Sequence, residues 1–330
     1  MSPLEVFEKY LDQFDYYFDV KIPDLSAIQG VKEVIVCCMG GSAFPIEIVT
    51  DHLKEAYRRD VITICRDYNL PKRIDADTLI LVVSFSGSTE ETVSCFNEAI
   101  EQNIPVIGIS IGGEVSRICS EKNIPFIKLP PVLVQRFGTG YMISAVMRTL
   151  VEIKLIPRQD EEIRNIKVIL EPVRINMQKH AEALAKRMKD RIFTVYTDNT
   201  HKSAGNIARI ALNETAKVVG YNNIFSESNH NELACFDKSP YSHIFLLLTY
   251  PEINTKLIKR FELLKEILKE KDIVYEKINC NFSNILYREI YFTLFFTYLS
   301  YFLALEMEHD PVGTPTQDLI KKMLKQIDKN

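Results

Sequence analysis

Short apolar runs alternate with longer amphipathic stretches through the first part of the chain. The runs are rich in β-branched residues, which is typical of strands buried on both faces of a parallel sheet. They predict strands at Val34–Cys38, Val61–Cys65, Leu79–Ser84, Pro105–Ser110 and Ile124–Lys128. Apolar residues three or four positions apart predict helices at Ala43–Tyr57, Glu90–Gln102 and Glu114–Glu121. This alternation predicts a doubly wound α/β domain with right-handed crossovers.

The same alternation resumes after Arg191. The predicted strands are Ile192–Thr197, Ile224–Ser226, His243–Leu248 and Ile273–Ile278. The predicted helices are Ser203–Val219, one from Asn231, Asn254–Glu270, Ser283–Glu308 and one from about Thr316. Between the two halves, the charged stretch Asp160–Asp190 predicts a solvated linker helix. We therefore predict two α/β domains with central parallel sheets.

The expected boundaries follow from these elements. The first domain covers residues 1–155 and carries an N-terminal helical arm over Leu4–Phe18. Residues 156–190 form the linker helix, and residues 191–330 form the second domain with its C-terminal helix. The second half repeats the architecture of the first half without repeating its residues.

Composition excludes several classes of function. A net charge of −4 and a pI near 6.0 leave no basic surface typical of nucleic-acid binding. The longest apolar stretch, Ile290–Leu305, is too short to span a membrane comfortably, and Met1–Tyr10 has charged residues where a signal peptide would be apolar. Seven cysteines, an odd number without a CxxC pair, indicate a reducing compartment. We therefore expect a cytoplasmic protein with no membrane or nucleic-acid partner.

Neither a metal nor an organic cofactor is expected. The histidines lack HxH or HxxH spacing, and adjacent Cys37 and Cys38 would point to opposite faces of a strand. The glycine motif after the first strand does not match the GxGxxG of a nicotinamide site.

A hydroxyl-rich turn lies at the centre of the first half, in the stretch Leu79–Glu98. A strand ends in a loop with five small residues, and a helix begins with two glutamates; the loop residues are Ser84, Ser86, Gly87, Ser88 and Thr89. Hydroxyls and unpaired N–H groups at a helix N-terminus form an anion site, and the lack of a Walker lysine favours one compact phosphate. Alternatively, Ser88 or Thr89 simply caps the helix.

A second loop of the same kind follows the first strand, where Gly40, Gly41 and Ser42 precede a helix. Glycines allow a tight turn and a close approach of the backbone to a ligand. Because the carboxyl ends of parallel strands meet at one edge of a sheet, both loops are expected at the same ligand site.

Candidate acid–base residues occur in the second half. Glu214 lies on a predicted amphipathic helix, and His230 follows sixteen residues later in a polar segment. A carboxylate and an imidazole are the groups needed to open a sugar ring and to move a proton between neighbouring carbons. Alternatively, Glu214 is a solvated helix residue and His230 is an ordinary surface histidine.

Together, these motifs resemble a known family. Gly-Gly-Ser at 40–42 followed by Ser-x-Ser-Gly-x-Thr at 84–89 is similar to the sugar isomerase (SIS) domain, whose loops hold phosphosugars. With Arg136 before a helix, Asn-Glu at 213–214, His-Asn-Glu at 230–232 and Asp-Pro at 310–311, the whole chain resembles the bifunctional phosphoglucose/phosphomannose isomerases of archaea and some bacteria. The resemblance implies two doubly wound SIS domains.

The resemblance also implies roles for individual residues. Glu214 would move a proton between C1 and C2, His230 would open the ring, and Arg136 would stabilise the enediolate. The substrate-binding residues would be Gly40, Gly41, Ser42, Ser84, Ser86, Thr89 and a C-terminal lysine. Lys325 fits that lysine best, with Lys321 and Lys322 as alternatives. The resemblance implies a metal-independent aldose–ketose isomerase of glucose 6-phosphate and mannose 6-phosphate.

Some residues depart from the family pattern. Cys38 stands where glycine is common, Gln135 and Phe137 flank Arg136 in place of proline and a small residue, and Ser226 replaces a proline. These changes leave the proposed catalytic groups in place but affect the expected shape of the pocket. A non-catalytic phosphosugar-binding SIS protein and an isomerase of a different phosphosugar are the alternative functions.

A homodimer with sites completed across the interface is also expected. The resemblance implies such dimers, and the helix Ser283–Leu305 is apolar on nearly every face. A helix buried inside its own domain is the alternative explanation of that apolar surface.

Overall fold

A computed structural model describes residues 2–237 and 242–327. The first parallel sheet has the order β2-β1-β3-β4-β5. Its strands are β1 Glu33–Cys37, β2 Ile62–Cys65, β3 Thr78–Val83, β4 Val106–Ser110 and β5 Phe126–Lys128. The helices of this half are α1 Pro3–Glu8, α2 Tyr16–Asp19, α3 Phe44–Tyr57, α4 Glu90–Glu101, α5 Gly113–Lys122 and α6 Thr139–Glu152. Strand β3 is buried at every position, as its continuous apolar run predicts.

The second parallel sheet has the order β7-β6-β8-β9. Its strands are β6 Ile192–Thr197, β7 Gly220–Ile224, β8 His243–Thr249 and β9 Val274–Asn279. The remaining helices are α7 Asp160–Met188, α8 Lys202–Ala211, α9 Phe225–Asn231, α10 Thr255–Glu270, α11 Ile285–Glu306 and α12 Pro315–Ile327. The predicted fold class, two doubly wound α/β units with central parallel sheets, is confirmed.

Helices α7 and α11 pack against each other, and α11 also contacts α3 of the first half and α8 of the second. The charged residues of α7 cover one face only, and its other face is buried through Ile163, Leu170, Met177 and Leu184. Helix α7 is therefore a packed element and not the fully solvated linker that its charge predicts. One continuous apolar core includes residues from both halves, so the core itself does not mark a boundary between two domains. The predicted domain boundaries at residues 155 and 190 stay a proposal.

Helix α11 is buried on nearly every face within its own chain. Phe292, Phe295, Phe296 and Tyr298 have no exposed surface. The alternative explanation of its apolar surface, burial inside the chain, is therefore the correct one. In the part of the chain that the structure describes, no helix has both the length and the hydropathy needed to cross a bilayer.

Three local predictions need correction. The arm over Leu4–Phe18 is two short helices joined by a 3₁₀ turn at Tyr10–Asp15. The α-helix predicted over Ser203–Val219 ends at Ala211. A π-helical turn at Leu212–Ala216 follows it and ends at Lys217, which adopts a left-handed conformation with φ of 57°. The strand predicted at Ile224–Ser226 lies earlier, since Phe225 already begins α9.

The order of the first sheet defines where a ligand can bind. Strand β1 pairs with β2 on one side and with β3 on the other. The connections after β1 and β3 therefore run to opposite faces and leave a crevice at the carboxyl ends of these two strands. The two candidate loops, residues 40–42 and 84–89, start at this crevice.

Candidate active site

The side chains of the hydroxyl loop converge. The hydroxyl oxygen of buried Ser84 lies 3.0 Å from that of Thr89 and 3.5 Å from that of Ser86. The N–H of Gly87 donates to Ser84 Oγ at 3.1 Å, in a turn whose φ of 72° favours glycine. Thr89 occupies the N-cap position, yet within the described residues its side chain accepts no hydrogen bond from α4. The loop is thus a cluster of hydroxyls at a helix N-terminus and not a simple cap.

The Gly-Gly-Ser loop contacts both of its neighbours. Ser42 Oγ accepts a hydrogen bond of 2.9 Å from the N–H of Phe85, which ties residues 40–42 to the hydroxyl loop. Gly40 has a positive φ of 46°, which favours glycine. A Cβ atom at Gly41 would lie 3.9 Å from Cα of Arg136. Three loops of the first half therefore meet at one edge of the sheet.

Arg136 connects this edge to the second half. Its Nε donates to Thr215 Oγ1 at 2.9 Å. Its Nη2 donates to the carbonyls of Pro311 at 2.5 Å and Val312 at 3.1 Å. Burial lowers the pKa of Arg136, whereas Glu214 and Asp310 act in the opposite direction. A guanidinium remains charged at neutral pH despite such a shift, so a fixed cation lies between the two halves.

Glu214 lies in the π-helical turn Leu212–Ala216 that follows α8. Such turns are rare and often occur at functional sites. The Glu214 side chain is only partly exposed, and the next residue, Thr215, holds Arg136. The structure therefore brings the predicted base and the predicted enediolate-stabilising cation to neighbouring positions.

A lysine and the segment before α12 complete this region. Lys217 Nζ donates to the carbonyls of Glu214 at 3.2 Å and Thr215 at 3.3 Å, and also to the Asp310 carbonyl. His309 Nδ1 lies 2.7 Å from the Ala216 carbonyl oxygen. Burial, and next to it the charge of Arg136, lowers the pKa of Lys217. The sequence did not identify Lys217, His309 or Asp310 as site residues, although the Asp-Pro motif at 310–311 indicated that this segment matters.

The second sheet has a switch point of its own, between β6 and β8, but side chains fill it. His201 Nδ1 lies 3.2 Å from Asp198 Oδ1, and Arg288 Nε donates to His201 Nε2 at 3.1 Å. Burial lowers the pKa of His201, in agreement with a neutral imidazole that donates to Asp198 and accepts from Arg288. This closed arrangement is structural, and the first switch point remains the candidate site.

Comparisons with known proteins agree with this architecture. Residues 177–324 match the profile of the bacterial phospho-glucose isomerase C-terminal SIS domain. The bifunctional phosphoglucose/phosphomannose isomerase of Thermoplasma acidophilum is 28% identical over 89% of this chain and 90% of that protein. The enzyme of the same name from Aquifex aeolicus is 27% identical over 97% of this chain and 98% of its own length. This chain is a relative of the bifunctional phosphoglucose/phosphomannose isomerases. The resemblance seen in the sequence is thereby confirmed.

Solved structures share the fold of this bifunctional-isomerase relative. The C-terminal domain of glucosamine-fructose-6-phosphate aminotransferase from Francisella tularensis has a TM-score of 0.70 at 14% identity, covering 94% of this chain and 98% of that one. Glucosamine-6-phosphate deaminase from Thermotoga maritima has a TM-score of 0.68, also at 14% identity, covering 95% and 97%. At such identities the likeness concerns the fold alone.

His230 is the member of the predicted catalytic set that lies apart. It belongs to α9, and its side chain is exposed. Within residues 2–237 and 242–327, no hydrogen bond joins it to Glu214 or Arg136. The exposed position leaves its role in this relative of the bifunctional isomerases a prediction.

The C-terminal lysine also stays a prediction. Lys321 and Lys325 belong to α12, but their side chains lie outside the described part of the structure. Lys322 is exposed on the same helix.

An open cleft of about 710 Å³ lies along the edge strand β7, beside Asn213 and Lys217. Val219 and Tyr221, which line it, are 61% and 56% exposed. The cleft is adjacent to the turn that carries Glu214 and does not cover the hydroxyl loop.

Proposed function

We propose that this protein interconverts glucose 6-phosphate and mannose 6-phosphate with fructose 6-phosphate through a metal-independent cis-enediol. The observation that carries the proposal is the hydrogen bond from Arg136 to Thr215. It joins the loops of the first sheet to the turn that holds Glu214, so that an anion site, a base and a cation share one region. Two relatives are bifunctional phosphoglucose/phosphomannose isomerases, which supports the same reaction.

The substrate phosphate would bind at the hydroxyl loop. Ser84, Ser86 and Thr89 present clustered hydroxyls at the start of α4, whose first N–H groups have no partner inside the helix. The helix dipole adds a favourable interaction with the phosphate charge. Gly40, Gly41 and Ser42 would contact the sugar from the neighbouring loop.

Glu214 would act as the base that moves a proton between C1 and C2. A cis-enediol intermediate has no stereocentre at C2, so the same carboxylate serves glucose and mannose phosphates if C2 turns one face or the other toward it. Arg136 would stabilise the negative charge of the enediolate. Because Arg136 supplies the positive charge, this route requires no Lewis acid.

His230 would open the sugar ring, and we propose that it does so in the site of a second copy of the chain. Its exposed side chain on α9 supports donation to a partner. The exposed residues Val219 and Tyr221 beside the cleft along β7 support an interface there. Helix α11 offers no support for the dimer, since its apolar faces are buried inside the chain.

A coupled assay of both hexose 6-phosphates, with and without a chelator of divalent metals, tests the proposed function. We expect activity with both substrates and equal initial rates with the chelator. Glucosamine 6-phosphate belongs in the same assay, because one relative, 23% identical over 72% of this chain, is a D-glucosamine-6-phosphate 4-epimerase from Sulfolobus acidocaldarius. Binding without turnover of any phosphosugar would favour a non-catalytic SIS protein.

A further inference from the structure

Three thiols meet beneath the first sheet. The Sγ atoms of Cys37, Cys65 and Cys95 all lie within 4.8 Å of one another, and those of Cys65 and Cys95 are 3.9 Å apart. All three side chains are buried, Cys65 at 8% exposure and the others at 0%. Within the described residues, this is the one group of three potential metal ligands with such spacing.

The fold explains why these cysteines meet. Cys37 ends β1 and Cys65 ends β2, and the two are partners in the parallel register. Cys95 reaches them from α4, which packs over β1 and β3. Cys38, one position further along, belongs to the core on the opposite face, as strand alternation requires. The sequence conceals this cluster, since its members come from three separate elements.

The distances suit a metal with three sulfur ligands. Three sulfurs in a plane around a metal, each about 2.3 Å from it, lie about 4.0 Å from one another. The Sγ atoms of Cys65 and Cys95 are 3.9 Å apart, and the other two pairs lie within 4.8 Å. Structural zinc sites have four protein ligands, whereas the described residues offer three here. Thiolates favour soft ions, and copper(I) is a soft ion that accepts three ligands.

We propose that Cys37, Cys65 and Cys95 bind one copper(I) ion. Each thiol gives up its proton to solvent as its sulfur becomes a ligand, and no electron is transferred. The ion would join β1, β2 and α4 directly behind the two substrate loops, because residues 40–42 follow β1 and the hydroxyl loop precedes α4. It would stabilise this part of the fold and take no part in isomerisation.

A short exposed loop, residues 66–69, lies next to the thiols. Without metal, Cys95 Sγ donates to the Asp67 carbonyl at 3.2 Å and Cys65 Sγ donates to the Asn69 carbonyl at 3.3 Å. Both hydrogen bonds are lost when the thiols release their protons to bind the metal. The loop and Cys65, which is 8% exposed, form the side of the cluster nearest to solvent.

The test is an anaerobic titration of the reduced full-length protein with copper(I), in competition with a chromogenic copper(I) chelator. We expect each chain to retain one copper(I) ion in the presence of the chelator. The bound copper should raise the midpoint temperature of thermal unfolding. Cys65→Ser and Cys95→Ser should lose both effects. Cys235→Ser is the matched control, since this thiol is exposed, and it should retain both. X-ray absorption of the loaded protein should count three sulfur neighbours.

Several results would overturn the proposal. These are complete transfer of copper from the native protein to the chelator, unchanged binding by Cys65→Ser, or loss of binding in Cys235→Ser. If a cluster variant fails to fold in the absence of metal, X-ray absorption of the copper-loaded native protein is the deciding measurement. Fewer than three sulfur neighbours around the copper would refute the site. A disulfide between Cys65 and Cys95 in the native protein, detected as a mass two units lower and with no copper bound, would also refute the proposal.

Discussion

Arg136 uses only part of its guanidinium to hold the two halves together. Nε and Nη2 donate to Thr215, Pro311 and Val312. Among the described residues, none accepts a hydrogen bond from Nη1. Because the guanidinium is planar and is held at Nε and Nη2, its Nη1 N–H groups point in a defined direction. The flexible ammonium group of a lysine would not be oriented in this way. This geometry suits stabilisation of the enediolate that we propose to form next to Glu214.

The first residue-scale prediction concerns the base. Glu214→Gln removes the group that accepts the proton and preserves the size of the side chain, so kcat should fall by about 10²–10⁴ for both hexose phosphates. Binding of the phosphosugar, measured by calorimetry, should change little. Glu227→Gln, an exposed glutamate of α9, is the matched control. Retention of more than about a tenth of the native rate would exclude Glu214 as the base.

The second residue-scale prediction concerns pH. Burial raises the pKa of Asp51 to about 6, although Ser203 donates to its carboxylate. Between about pH 4 and pH 6, the folded chain thus keeps a proton that the unfolded chain releases, and its free energy of unfolding should fall as the pH rises. Asp51→Asn should reduce this decrease, as measured by denaturant unfolding at pH 4.5 and 6.5. An identical pH dependence in the variant would contradict the assignment.

At the scale of elements, the strands and the candidate loops follow from local sequence, because apolar runs and small polar residues carry their own signals. The π-helical turn at Leu212–Ala216 does not, since its residues favour an ordinary helix and the left-handed Lys217 ends it. The partners of Arg136 are equally hidden. Thr215 lies 79 positions away and Pro311 lies 175 positions away, so only packing of the two halves brings them together.

The element-scale prediction concerns the hydroxyl loop. Ser86→Ala and Thr89→Ala should each raise KM far more than they lower kcat, because phosphate binding is nearly equal in the ground and transition states. Ser88→Ala is the control within the same loop, as Ser88 is not among the proposed phosphate ligands. Steady-state kinetics with glucose 6-phosphate measures the effect. A fall in kcat at constant KM would assign these hydroxyls to the chemical step instead.

At the scale of the whole molecule, a shared core fixes the two sheets relative to each other. Helices α7 and α11 pack together, and the core includes residues from both halves. The candidate site at Arg136 therefore lies between halves that share one packed core. Among the apolar surfaces that the described residues leave exposed are the cleft along β7 and a face of α12 with Leu319, Ile320 and Met323, each more than 50% exposed.

The proposed dimer has a direct test. Glu214→Gln and His230→Ala are each expected to be inactive, and they are unfolded together and refolded as a mixture. If the two residues of one site come from different chains, mixed dimers should recover part of the native activity, while each variant refolded alone should not. A monomer in sedimentation experiments would contradict the dimer. A dimer without recovered activity would place both residues in one chain.

Solvent exchange tests the central claim, a shared enediol formed by Glu214, most directly. The native protein is incubated with fructose 6-phosphate in deuterated water, and deuterium at C2 of the glucose and mannose phosphates formed is measured by NMR. We predict deuterium at C2 of both products, and a parallel loss of both signals in Glu214→Gln. Solvent deuterium in one epimer only, or exchange into either epimer that survives in Glu214→Gln, would contradict the account.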